Sequence, residues 1–227
     1  MPPSLRPRWL PVFETVAVAL FFVLSGSMAI RIWTVTANGS LWLAFLGIPF
    51  GILLADFLSG LVHWFCDTFF EEDSLPGRVF IGPFREHHRD PLALTRHGFL
   101  ERNGNNCLVA LPVLTLAWWG GWPDDDSVAA VFGSSVLLFL GLAVFATNEI
   151  HRWAHAPATP GSIRWLQQGG WILTPERHAR HHVDGAGAYC ITLGWLNTPL
   201  DRAGFFNLCE RLLVAAGLPR AGQRDPV

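Results

Sequence analysis

The chain has 227 residues, of which 51% are hydrophobic and 15% charged, and its mean hydropathy is +0.32. So apolar a composition is typical of a membrane protein and argues against a soluble one. The formal net charge of -2 lacks the basic excess that neutralises phosphates, so no nucleic-acid partner is expected.

Four apolar segments approach the roughly 20 residues that a bilayer-spanning helix needs. They cover residues 11–30, 41–62, 107–122 and 128–147. The third is the shortest and contains Pro112, which favours a tilt or a kink. The pattern predicts an all-α fold, a multi-pass bundle of about four transmembrane helices, with residues 1–227 forming one membrane-embedded domain.

The tail after the fourth segment contains two amphipathic stretches, 162–168 and 199–216. Each is expected to lie along the membrane interface or to pack against the bundle. The four cysteines form no C-x-x-C pair, so neither an iron–sulfur cluster nor a zinc ribbon is expected, and we interpret them as free thiols.

The basic residues predict how the chain is oriented in the membrane. All 16 are arginines. If the four segments alternate across the bilayer, one side receives every arginine except Arg31, and the positive-inside rule makes that side cytoplasmic. We therefore expect an integral protein with both termini in the cytoplasm, in a bacterial inner membrane or, in a eukaryote, the endoplasmic reticulum.

The histidines, like the arginines, are concentrated on one predicted side of the membrane. All nine histidines fall on the predicted cytoplasmic side or at its membrane boundary: His63, His87, His88, His97, His151, His155, His178, His181 and His182. A histidine-rich transporter is the main competing interpretation, but transporters place polar ligands near the bilayer midplane. Here the only mid-segment acid is Asp56, and it lies about two helical turns from the boundary.

Several of these histidines have the spacing of metal ligands. His151 and His155 are four residues apart, so on a helix they share one face. The HARHH sequence, 178–182, presents three imidazoles at i, i+3 and i+4. The adjacent His87 and His88 cannot face the same way on a regular helix, so they would suit two different metal ions or a local distortion of the helix.

Without His97, eight imidazoles remain, enough for four ligands to each of two metals. The predicted ligands are His63, His87, His88, His151, His155, His178, His181 and His182. Many neutral nitrogen donors suit redox-active iron better than structural zinc, whose closed four-ligand sites are often rich in thiolate. A histidine-rich metal-binding membrane protein without catalysis is the non-enzyme alternative.

Carboxylates are the expected partners behind such ligands, because a ligating imidazole usually donates its other N–H to one. Asp56, His63 and Asp67 are spaced by seven and four residues, so they line one helix face. Asp56 or Asp67 is a candidate to orient His63, although an acid that extends to the headgroups explains either as well. His97 and Asn148 are the further candidates for such indirect roles.

Five motifs resemble the plasmanylethanolamine desaturase family, which is similar to plant fatty acid desaturase 4. They are HWFCDT (63–68), GPFREHHRDPLALTRHGFLERNGNN (82–106), NEIHRWAH (148–155), PERHARHH (175–182) and YCITLGWLN (189–197). The resemblance implies a four-helix membrane desaturase whose histidine-bound di-iron site uses O2. It also implies that the 1-O-alkyl ether of an ethanolamine phospholipid becomes a vinyl ether, with the eight histidines as ligands.

One departure keeps a second substrate open. Animal-type members carry a proline–histidine–acid step after the HxxHH box, whereas this chain reads VDGAGAYC. The plant relatives that desaturate an acyl chain of phosphatidylglycerol also lack that histidine, so acyl desaturation is the alternative. His97 and its RHGFLERNGNN context favour the ether lipid.

The chemistry sets further requirements. No side-chain acid or base removes hydrogens from an unactivated methylene, so iron and dioxygen must supply the oxidant. The sequence shows no G-x-G-x-x-G nucleotide motif and no haem-attachment motif, so electrons are expected from a separate ferredoxin or cytochrome. A membrane hydroxylase would use the same ligands and is the remaining enzymatic alternative.

Overall fold

The computed structural model describes residues 7–37, 39–73, 77 and 81–221. Within these ranges the chain forms ten helices, which confirms the predicted all-α class for this part of the chain. They are α1 (Leu10–Val35), α2 (Leu41–Thr68), α3 (Gly82–Arg89), α4 (Ala93–Arg96), α5 (Phe99–Trp119), α6 (Val128–His155), α7 (Gly161–Gln168), α8 (Pro175–Asp184), α9 (Asn197–Arg202) and α10 (Phe205–Ala215). Both termini, which were predicted to be cytoplasmic, lie outside the described residues.

Three of these helices, α1, α2 and α6, are long and apolar enough to cross a membrane. In α1 and α2 only 33% of the most apolar window is buried, so most of those side chains face outward, where lipid would cover them. The protein is an integral membrane protein.

The predicted count of four spans is not confirmed. The third apolar segment lies in α5, but that helix begins at Phe99, eight residues before the segment starts. Its first two turns carry Glu101, Arg102 and Asn103, and Asn103 is buried. These polar residues shorten the apolar part of α5.

Two spanning helices extend beyond their predicted ends. The sequence predicts spans to residues 62 and 147, whereas α2 ends at Thr68 and α6 at His155. No glycine or proline interrupts either extension, and Pro157 follows the end of α6. His63 therefore lies inside α2, and the polar last turns of both helices carry candidate ligands.

The described chain divides into two compact units. The first is built mainly from Phe57–His97 and the described part of Ile150–Val227, and the second from Trp9–Asp56 and Gly98–Glu149. All nine histidines belong to the first unit. The organisation as one domain stays a prediction.

Within the second unit, α1 packs against α5 around a core that includes the buried side chains of Phe21, Met28 and Leu114. Here α2 approaches α6 closely at Gly51, where a Cβ atom would lie 2.6 Å from the carbonyl oxygen of Val136. Small residues permit such close helix contacts in membranes.

The tail of the first unit is interrupted where the sequence predicts one amphipathic stretch. Gly204, with φ of 62°, separates α9 from α10. In α10 the buried Phe206 packs with Trp64 and Tyr189, while Leu208 on the opposite face is 56% exposed. The helix is therefore amphipathic, as its sequence predicts. All four cysteines are free, as expected.

Candidate metal centre

The predicted ligands lie on four helices of the first unit. They are His63 in α2, His87 and His88 in α3, His151 and His155 in α6, and His178, His181 and His182 in α8. Five of these residues are at most 2% exposed: His63, His87, His151, His178 and His181. So many buried imidazoles require either mutual pairing or a bound ion.

Local sequence fixes α8, which carries three of them. Thr174 caps its N-terminus by accepting the Arg177 N–H at 3.2 Å, and Pro175 follows in the first turn. Gly185, with φ of 61°, ends the helix in the left-handed conformation. The ten-residue helix is thus defined at both ends, which holds the HARHH imidazoles in register.

A first donor group consists of His87, His155, His178 and His182, whose candidate ligand atoms all lie within 4.8 Å of one another. The Nε2 atom of His178 is 2.8 Å from that of His155 and 3.0 Å from that of His182. These four imidazoles come from three helices and converge on one point.

His151 adjoins this first group without belonging to the set of four. Its Nε2 atom lies 2.8 Å from Nε2 of His178 and 3.3 Å from Nε2 of His155. The first group therefore has a fifth imidazole at its edge.

A second donor group consists of His63, Asp67, His88 and His181. The Asp67 Oδ2 atom lies 3.2 Å from Nε2 of His88, 3.3 Å from that of His63 and 3.4 Å from that of His181. The Nε2 atoms of His88 and His181 are 3.2 Å apart. This group therefore combines three imidazoles with one carboxylate.

Both groups fit a metal ion. For metal–ligand bonds of about 2.1 Å, neighbouring donors lie about 3.0 Å apart in an octahedron and about 3.4 Å apart in a tetrahedron. The shorter separations in both groups, 2.8 to 3.4 Å, fall close to this range. In addition, Nε2 of His87 is buried without a hydrogen-bond partner among the described residues, as a nitrogen reserved for a metal would be.

Two backbone carbonyls select the tautomers in the second group. Nδ1 of His63 donates to the Tyr189 carbonyl at 3.1 Å, and Nδ1 of His181 donates to the Gly187 carbonyl at 2.8 Å. Because a carbonyl only accepts, the proton of each neutral ring lies on Nδ1, and the Nε2 lone pair is free for a metal.

Burial favours the neutral form of three imidazoles outside the spanning helices, those of His87, His178 and His182. Burial, with a further effect of neighbouring histidines, holds the pKa of His87 and of His178 well below the usual 6.5. The same causes lower the pKa of His182 to about 3. Since only a neutral imidazole binds a metal, these shifts favour ligation at physiological pH.

The other predicted positions are not brought into the two groups. His97 lies with Nε2 3.6 Å from Oε2 of Glu86. Asn148 belongs to the other compact unit, where its side chain donates to the Arg102 carbonyl at 2.5 Å. Asp56 is fully buried and also belongs to that unit.

Sequence reasoning treated Asp67 only as a partner behind His63. The spacing of four residues from His63 already places its carboxylate on the ligand face, so a ligand role was available from the sequence. The carbonyl acceptors at Gly187 and Tyr189 were missed, because no residue type marks a backbone carbonyl that faces a histidine.

Two neighbouring histidine-rich donor groups in a helical membrane protein define a candidate metal centre, since each group could hold a metal ion. The sequence of this membrane protein defines its type further, since the lipid desaturase domain model matches residues 52–221. The chain belongs to the lipid desaturase family, whose members are oxidoreductases.

Individual relatives of the chain are named as desaturases. The chain is 40% identical to plasmanylethanolamine desaturase of Myxococcus xanthus, over 90% of this chain and 73% of the relative. It is 44% identical to plasmanylethanolamine desaturase 1 of Mus musculus, over 79% of this chain and 69% of the relative. The chloroplastic fatty acid desaturase 4 of Arabidopsis thaliana is 30% identical over 70% of this chain and 48% of its own length. No solved structure matches the chain.

Proposed function

We propose that the protein is an O2-dependent di-iron desaturase that converts the 1-O-alkyl ether of plasmanylethanolamine to the vinyl ether of plasmenylethanolamine. The observation that carries the proposal is the pair of donor groups in a chain at least 40% identical to two proteins named for this activity. The acyl-chain alternative is supported by the 30% identity to the plant enzyme and by the VDGAGAYC sequence, which lacks the histidine that animal-type members carry.

The overall reaction needs a reductant. The first two carbons of the alkyl chain lose one hydrogen each, and a C=C bond forms between them. One O2 accepts these two hydrogens together with two further electrons and two protons, and two water molecules result. We propose that a separate one-electron carrier, a ferredoxin or a cytochrome, supplies the two electrons.

The donor groups define which residues would hold the irons. The first group would hold one ion through His87, His155, His178 and His182, with His151 beside them, and the second group would hold the other. Iron bound there would supply the oxidising chemistry that no side chain can. The chain's own contribution is to hold these side chains in fixed positions on four packed helices.

A cavity of about 320 Å³ lies at the end of α6 and the start of α8, the two helices that carry His155 and His178, and it suits the polar end of a phospholipid. Trp153, two residues before His155, lines it together with Arg164 and Glu176. A phosphoethanolamine headgroup carries a phosphate and an ammonium, which match the guanidinium and the carboxylate. A phosphatidylglycerol headgroup has no cation for Glu176, so this cavity favours the ethanolamine lipid.

The electron carrier would dock on the arginines of the face where the histidines lie. In α8, Arg177 and Arg180 are exposed beside the ligands. A carrier with an acidic surface would be attracted there, and its association would weaken with salt. We place this face in the cytoplasm, in accordance with the positive-inside rule.

The decisive experiment is expression in a membrane that contains 1-O-alkyl phospholipids, followed by analysis for acid-labile vinyl ethers. The expected result is a vinyl ether on ethanolamine lipids that requires O2 and disappears in a His181→Ala variant. A new double bond in acyl chains of phosphatidylglycerol would support the alternative. Incorporation of ¹⁸O from ¹⁸O2 into the lipid would identify a hydroxylase, since a desaturase returns both oxygen atoms to water.

A further inference from the structure

The middle of the segment that links α8 to α9, residues 188–194, is buried without being helical. Tyr189, Cys190, Ile191 and Thr192 are all at least 93% buried. Buried backbone N–H and C=O groups need hydrogen-bond partners, and here no helix ladder supplies them. Two peptide groups of this segment instead connect side chains of α9 to histidines of the second donor group.

The first connection starts at Asp201. Its carboxylate accepts the N–H of Ala188, with distances of 3.1 and 3.2 Å to the two oxygens. The carbonyl of the same peptide group, that of Gly187, accepts Nδ1–H of His181 at 2.8 Å. In a trans peptide the N–H and C=O point in opposite directions, so fixing one fixes the other.

The second connection has the same form. The Asn197 Oδ1 atom accepts the N–H of Cys190 at 2.7 Å. The carbonyl of that peptide group, that of Tyr189, accepts Nδ1–H of His63 at 3.1 Å. The Asn197 amide also donates to the Cys190 carbonyl at 3.0 Å, which holds its orientation.

Both connections begin at side chains of α9 and end at histidines of the second donor group. Asn197 and Asp201 are four residues apart in α9, so they lie on one face of that helix. Both connections end at the second donor group. By contrast, Nδ1 of His178 in the first group is buried without a hydrogen-bond partner among the described residues.

We propose that Asp201 and Asn197 are positioning residues for one of the two metal sites, acting through these peptide groups on His181 and His63. The inference rests on the proposed function only in that the donor groups hold iron. The two positions differ in charge. The Asp201 carboxylate polarises the peptide group between Gly187 and Ala188, so the Gly187 carbonyl accepts more strongly from Nδ1–H of His181. The His181 imidazole then gives more electron density to the metal, which stabilises the more oxidised state.

The test uses the full-length protein in detergent, reconstituted with Fe(II), and compares Asp201→Asn, Asp201→Ala and Asn197→Ala. Arg202→Ala, at the neighbouring exposed position of α9, is the matched control. Iron per chain, the Mössbauer spectrum and the reduction potentials are measured. These readouts do not depend on turnover.

Asp201→Ala and Asn197→Ala are expected to weaken iron binding about 10–100-fold at one site, so that the same Mössbauer component declines in both. Asp201→Asn keeps an acceptor for Ala188, so it should retain both irons and raise the potential of one. Loss of both irons in parallel, or unchanged binding and potentials in all three variants, would overturn the inference. If these effects on iron are observed but the unsubstituted protein forms no vinyl ether, the proposed function is wrong and the positioning role of Asp201 and Asn197 still holds.

Discussion

His87 and His88 are adjacent in the chain and their ring centroids lie only 4.3 Å apart, yet their imidazoles belong to different donor groups. Successive residues of a helix point about 100° apart, so one short helix, α3, serves both groups. The two donor groups therefore lie side by side because adjacent residues contribute to them. The first group includes His87, and the second includes His88.

The first prediction is that His87→Ala and His88→Ala each remove one iron and leave the other. Protein purified with iron should contain about two ions per chain, since the donors form two groups of four. Each variant should fall towards one, and the two variants should lose different Mössbauer components. Loss of both ions in either variant, or of neither, would contradict the division into two groups.

The second prediction concerns His97. Its Nε2 atom is 3.6 Å from Oε2 of Glu86, and it belongs to neither donor group. His97→Ala should therefore retain both irons even where turnover falls. His182→Ala is the matched comparison and should lower iron and activity together. A loss of iron in His97→Ala would mean that the ligand set has been drawn wrongly.

A third prediction separates two acids of α2. The Asp67 carboxylate lies within 3.4 Å of three histidine Nε2 atoms, whereas Asp56 belongs to the other compact unit. Asp67→Ala should lose the iron of the second group, and Asp56→Asn should keep it. Metal analysis distinguishes them, and equal iron contents in the two variants would show that Asp67 is not a ligand.

The spanning helices and the helix faces that carry the histidines could be predicted from the sequence, because both depend on residues close together in the chain. Long apolar runs identify α1, α2 and α6, and the i, i+3, i+4 spacing of histidines identifies α8. Spacing alone did not show which histidine shares a metal with which, since that depends on how α2, α3, α6 and α8 pack. The contribution of Asp201 was also beyond the sequence, because its effect passes through the backbone of Gly187 and Ala188.

The fourth prediction is that the metal-free protein loses stability as the pH falls below about 6.5. In the folded protein the pKa of His182 is lowered to about 3, and those of His87 and His178 are also depressed. Between the unfolded and folded pKa values the unfolded chain binds more protons, so acid favours unfolding. The stability is present above pH 6.5 and declines below it.

Thermal unfolding of the metal-free protein at pH 7.5, 6 and 5 measures this effect. The midpoint should decrease at each step, and the decrease should be smaller in His182→Ala, which removes one depressed group. His97→Ala is the control for the removal of an imidazole outside the donor groups. A midpoint that rises on acidification would contradict the burial of neutral histidines.

The last prediction concerns the fourth membrane span. The rings of His63, near the end of α2, and His151, near the end of α6, lie 5.9 Å apart, so both helices end on the same side of the membrane. An even number of crossings must separate them. Since α6 is long and apolar enough to span, α5 must also cross, despite its polar first turns. The loop before α6 would then face the exterior.

Cysteine labelling from outside the cell tests this topology in a Cys209→Ser background, because the other three cysteines are buried. A cysteine at Ser127, just before α6, should be labelled, and one at Ser162 in α7 should not. A cysteine at Ser74, which lies outside the described residues, should behave like the one at Ser162. If Ser127 were protected while iron was retained, α5 and α6 would form a re-entrant pair. Labelling of Ser74 and Ser162 on opposite faces would separate α3 from α8, and the shared metal centre would have to be abandoned.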